Sequence, residues 1–123
     1  MFSWLAAFVF TQVVECPIYL VAQRGEDGRA QQRRAWWCKL AIAFGASAIT
    51  HPVVWFGFPY LWLGLGYPGG YWTMVAGAEA FAVCVEAGYL RGFRVPQPWA
   101  WSVLANAASF GLGLASRTAL GWP

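Results

Sequence analysis

At 123 residues, with 59% hydrophobic and 19% aromatic side chains, nine tryptophans and only 11% charged residues, the chain is too poor in charge for a water-soluble domain, in which about a quarter of residues are charged. A core of this size cannot hide so much apolar surface, so lipid is the expected solvent for much of it. The formal charge of +3 and pI near 9.0 do not make a nucleic-acid footprint, because the basic residues fall in two short loops with no aromatic-interleaved basic face.

The first apolar stretch, 2–22, reads FSWLAAFVFTQVVECPIYLVA and has the length of about 20 residues that carries a helix across roughly 30 Å of hydrocarbon. Within it Glu15 shares a helical face with Thr11, Gln12 and Tyr19. An ionisable group at such a depth costs at least about 2–3 kcal/mol unless it finds a partner or a wet cavity, so this carboxylate points to function. The stretch lacks a positive leading segment and is too long for a cleavable signal peptide; it is expected to be retained.

The second stretch, 35–58, carries Ser47, Thr50 and the single histidine, His51, followed by Pro52. Pro17 and Pro52 each remove an intrahelical hydrogen bond and open a carbonyl, at Val13 and Ala48. Inside a bundle such carbonyls coordinate cations or mark a kink filled by Ser or Thr. For His51 the readings are a hydrogen-bonded structural side chain, a proton relay or a cofactor ligand, since one His with distant carboxylates is a weak metal signature. The connection 57–72, GFPYLWLGLGYPGGYW, has no charge and is rich in Gly, Pro and aromatic residues. It is expected to be a broken loop at the headgroup level, with a re-entrant element as the alternative.

The third stretch, 72–90, contains Glu79 and Glu86, seven residues apart and pointing nearly the same way. The fourth, 99–116, sets Ser102, Asn106, Ser109 and Gly113 on one stripe. Hydrogen-bonding glue between helices is one reading of that stripe and a share in a polar site is the other. Cys16, Cys38 and Cys84 form no C-x-x-C pair, so neither a redox nor a metal cysteine site is expected.

Seven of the eight basic residues, Arg24, Arg29, Arg33, Arg34, Lys39, Arg91 and Arg94, lie in or beside the two connections on one side. The positive-inside rule makes those connections cytoplasmic and sends both termini outward. The halves read as copies: V-E-C-P-I-Y-L around Glu15 matches V-E-A-G-Y-L around Glu86, and Ser47-x-x-Thr50 matches Asn106-x-x-Ser109. Each half crosses twice, so the copies are parallel. The expected fold is an all-α membrane protein, a four-transmembrane-helix bundle of two tandem helical hairpins related by a pseudo-twofold axis along the membrane normal, in one domain over 1–123.

The residues Glu15 with Pro17, Thr50 with Pro52, Glu86, and Asn106 with Ser109 and Gly113 resemble a pattern found in an uncharacterised group of small four-span bacterial integral membrane proteins. That pattern is Glu-x-Pro, Asn-x-x-Thr-x-Pro, Glu and Asn-x-x-Ser; Ser47 stands here where it has the first Asn. The resemblance implies the fold, a polar cluster and a bacterial inner membrane, and no particular activity.

Two carboxylates facing each other at that depth cannot both stay ionised without a cation between them. The first functional reading is therefore a proton or small-cation transporter, with Glu15, Glu86, Glu79, Thr50, His51, Asn106 and Ser109 as site candidates. A homodimer is expected to complete the site, because four helices enclose little space. The alternative is a non-catalytic accessory subunit of a larger membrane complex, its carboxylates facing partner chains. No cofactor and no nucleic-acid partner are expected; the bilayer is. An enzyme is not expected, because G-x-S-x-G, H-E-x-x-H and P-loop motifs are all missing.

Overall fold

The computed structural model describes residues 2–24, 33–66 and 68–121. Residues 25–32, which include Arg29 of the first basic connection, and Tyr67 lie outside the described residues. The described residues form four α-helices and no strand: α1 (Phe2–Ala22), α2 (Trp36–Pro52), α3 (Gly70–Gly92) and α4 (Pro98–Leu120). They pack in a ring in chain order, α1 on α2, α2 on α3, α3 on α4 and α4 on α1.

Sequence and structure part at the end of α2. Val53–Gly57 falls within the expected 35–58 helix but is π-helical, and a second π-helical segment, Tyr60–Gly64, continues where the uncharged connection was expected to break the chain. Each follows a proline, Pro52 or Pro59, which has no N–H to offer the ladder. The chain accommodates each by widening the next turn, so that the Phe58 N–H reaches back five residues to the Val53 carbonyl. Among the described residues, the non-helical part of the connection is thereby reduced to 65, 66, 68 and 69.

Three helical runs, Ser3–Ala22, Trp36–Trp62 and Gly70–Gly92, are long and apolar enough to cross a membrane. At 23 residues α4 has the length, but Ser102, Asn106, Ser109, Arg117 and Thr118 leave it less apolar. Leu5, Val9, Val13, Trp37, Ile49, Leu104 and Leu112 are all exposed. A continuous apolar surface of that kind is an association liability in water and an asset in lipid.

The turn between α3 and α4 is built without glycine at its left-handed position. Arg94 holds φ 58°, the Val95 N–H bonds the Leu90 carbonyl at 3.0 Å and the Arg94 N–H bonds the Arg91 carbonyl at 2.9 Å. This is a Schellman cap, closed by Leu90 and Val95 in the core. Those two residues belong to a buried apolar plug of Tyr19, Ala22, Ile42, Ala43, Ala46, Leu90, Val95 and Ala105, which fills the end of the bundle nearest the basic connections. The small side chains let the helices approach closely there. Gln23 reinforces that end, donating from Nε2 to the Tyr19 carbonyl at 3.2 Å and the Lys39 carbonyl at 2.9 Å.

Candidate functional site

Above the plug the bundle is hollow. Glu15 on α1 is 2% exposed and Glu86 on α3 is 1% exposed, and each turns into the bundle. Ser47 Oγ on α2 donates to Glu15 Oε2, while Ser109 Oγ on α4 donates to Glu15 Oε1 at 2.5 Å. Glu86 Oε1 accepts from Thr50 Oγ1 on α2 at 2.6 Å, and Glu86 Oε2 accepts from Asn106 Nδ2 on α4 at 2.7 Å and from the Tyr19 hydroxyl on α1. Every helix contributes to this network, and the Tyr19 bond crosses the ring from α1 to α3. Neither carboxylate has a basic partner among the described residues.

Two of the donors are rotors. The Thr50 hydroxyl lies 3.2 Å from the Ser47 carbonyl as well as beside Glu86, and the Ser109 hydroxyl lies 3.1 Å from the Asn106 carbonyl as well as beside Glu15. A hydroxyl has one proton to give, so each chooses between a carboxylate and a carbonyl. An ionised carboxylate draws that proton. A protonated carboxyl can donate instead to the hydroxyl oxygen, whose own proton turns to the carbonyl. Either carboxyl can thus gain or lose a proton with heavy atoms in place and hydrogen bonds conserved.

Asn106 Nδ2 also reaches the Ser102 carbonyl at 3.0 Å, and Ser102 Oγ donates to the Val83 carbonyl at 2.9 Å, so the α4 stripe serves both as glue to α3 and as a donor set. Both carboxylates border one cavity of about 720 Å3, lined also by Ser47, Thr50, His51, Glu79, Asn106 and Ser109. It extends from the carboxylates to Tyr71, Trp72, Arg117 and Thr118, at the opposite end from the basic connections. A single chain lines this space, which stays partly open at the mouth.

All seven sequence candidates line the cavity, but they divide into three groups. Glu15, Glu86, Thr50, Asn106 and Ser109 belong to the hydrogen-bonded network. Glu79 is half-buried in the same wall and makes no hydrogen bond or ion pair among the described residues. His51 stands in an aromatic nest instead, stacked on Trp55 with ring centroids 6.0 Å apart and flanked by Phe8 at 5.2 Å and Trp4 at 6.1 Å. Its Nδ1 is buried without a hydrogen-bond partner, so the hydrogen-bonded structural role expected for it is not made through that atom.

The candidate set omitted two network members, Tyr19 and Ser47. Tyr19 carried a signal, one helical turn from Glu15 on the same face, but its bond goes across the ring to Glu86. Gln12, also expected on the Glu15 face, instead reaches the Phe44 carbonyl at 3.4 Å and accepts from Cys16 Sγ at 3.0 Å. Among the described residues no group of three His, Cys, Asp or Glu side chains is arranged to hold a metal ion. No protein-family model, curated protein or solved structure matches the chain.

Proposed function

We propose that the chain is a small integral membrane protein whose four helices all cross the bilayer, and that Glu15 and Glu86 form a proton- or cation-exchanging site for transport. The observation that carries this is the pair of fully buried carboxylates at the floor of a cavity, held by hydroxyl and amide donors and, among the described residues, by no basic side chain. Carboxylates that pointed outward to partner chains would have favoured an accessory subunit. Their inward direction favours the site.

The hydrogen-bond pattern supports the two-hairpin reading. Exchanging α1 with α3 and α2 with α4 turns the Glu15–Ser47 pair into Glu86–Asn106 and the Glu15–Ser109 pair into Glu86–Thr50. The two rotor hydroxyls, Thr50 and Ser109, exchange as well. This correspondence is what a pseudo-twofold axis between tandem hairpins requires. With the basic connections cytoplasmic, the cavity opens to the outside and the Tyr19–Leu90 plug seals the inner face.

The test is flux in proteoliposomes under an imposed pH or cation gradient. Glu15→Gln and Glu86→Gln keep the shape and most hydrogen bonds but cannot exchange a proton, so each is expected to abolish flux while the protein stays folded. Undiminished flux through either variant rules the site out.

A further inference from the structure

The cavity says what kind of cation suits it. At about 720 Å3 it lies within the roughly 300–1,000 Å3 of pockets that hold small organic molecules, far more room than a bare ion needs. Among the described residues no group of three His, Cys, Asp or Glu side chains is arranged to hold a metal ion. Glu15, Glu79 and Glu86 share the lining, in which Arg117 is the one lysine or arginine, so three negative charges against one positive leave two to be matched when all are ionised.

The charges are also spread out. Glu79 and Glu86 are seven residues apart on α3, or roughly 10 Å along a helix rising 1.5 Å per residue. Above the carboxylate floor the wall includes Trp55 and, beyond Glu79 toward the mouth, Tyr71 and Trp72, aromatic side chains of the kind that attract ammonium groups and pack against methylene chains. Glu79 lies in a helix apolar enough to span a membrane and has no hydrogen bond or ion pair among the described residues, so it is otherwise unexplained.

Resting on the site reading above, we propose that the cation is an aliphatic polyamine, with one ammonium group at Glu15 and Glu86, another at Glu79, and the chain between them beside Trp55. Extended spermidine separates its terminal ammonium groups by a length comparable to that rise along the helix; these two groups match the two unbalanced charges, and its central secondary ammonium lies at the depth of Trp55, whose ring offsets the third charge. A simple monoamine reaches one end only. Each ammonium that settles on a protonated carboxyl displaces one proton to solvent, so binding is coupled to proton release.

The test is titration calorimetry of the full chain in a neutral maltoside detergent, using spermidine, butylamine and sodium chloride as probes. Spermidine is expected to bind saturably and at least tenfold more tightly than butylamine, with sodium a weak competitor. Glu79→Gln should weaken spermidine at least tenfold while leaving butylamine within about twofold, and Glu79→Asp should restore most of the affinity. Equal affinity for spermidine and butylamine, or a Glu79→Gln protein that is folded and binds spermidine normally, overturns the proposal. Absence of spermidine binding alongside Glu15- and Glu86-dependent proton flux overturns the polyamine assignment and leaves the exchange site standing; absence of both overturns the two together.

Discussion

Tyr19 offers a way to weigh the network bond by bond. It is completely buried, and its hydroxyl donates across the ring to Glu86. Tyr19→Phe removes that single oxygen and no carbon, so packing is almost unchanged. A hydrogen bond to a charged group is worth about 1.5–3 kcal/mol, whereas interhelical bonds in membrane proteins average about 0.6 kcal/mol. Glu86 retains Thr50 and Asn106 as donors at 2.6 and 2.7 Å, so it is not orphaned and the lower end of the charged range applies. The expected cost is about 1.5 kcal/mol with Glu86 ionised and about 0.6 kcal/mol in a Glu86→Gln background, a coupling of about 1 kcal/mol. The assay is reversible unfolding in mixed micelles with increasing sodium dodecyl sulfate, followed by tryptophan fluorescence. The phenol donates more strongly to a carboxylate than to a carboxyl, so the coupling should be larger at pH 9 than at pH 5. Additivity within about 0.3 kcal/mol at both pH values would refute the bond.

Three further outcomes are expected. Ser47→Ala and Ser109→Ala each remove one of the two donors to Glu15; the double variant should lose more stability than the sum of the singles, by about 0.5–1 kcal/mol in the same assay, because only then is the buried carboxylate left without a donor. Arg94→Gly should stabilise the bundle by about 1 kcal/mol, since a non-glycine residue at φ 58° pays a left-handed penalty that glycine avoids. In a background without native cysteines, a membrane-impermeant thiol reagent should label Leu65→Cys on whole cells and reach Arg94→Cys only after lysis; the opposite pattern would reverse the orientation.

The sequence was most legible where polarity and depth conflict. Glu15, Glu86, Thr50, Asn106 and Ser109 stood out because each is a polar group in an apolar stretch, and the structure joins them in one network. Helix α1 was legible to the residue, as a predominantly apolar run of membrane-crossing length. The end of α2 was not, because proline and glycine signal a break through local backbone chemistry, whereas a π turn accommodates a missing donor through register. Partners were harder still. Position on a helical face tied Tyr19 and Gln12 to Glu15, but Tyr19 bonds Glu86 and Gln12 bonds a backbone carbonyl of α2. Which helix lies opposite is a tertiary fact that periodicity along one helix does not carry. The aromatic nest around His51 was hidden for the same reason: Trp4 and Phe8 come from α1 and meet the histidine only when α1 packs on α2.

Transport through this site requires Glu15 and Glu86 to exchange protons inside the folded bundle, and infrared difference spectroscopy of the carboxyl carbonyl band reads this directly. In neutral detergent the wild-type protein is predicted to show a buried protonated-carboxyl band that is lost reversibly as pH is raised or a cation is bound, and that changes in Glu15→Gln and in Glu86→Gln. A spectrum from folded protein in which neither residue contributes to any pH- or cation-dependent carboxyl band would contradict it.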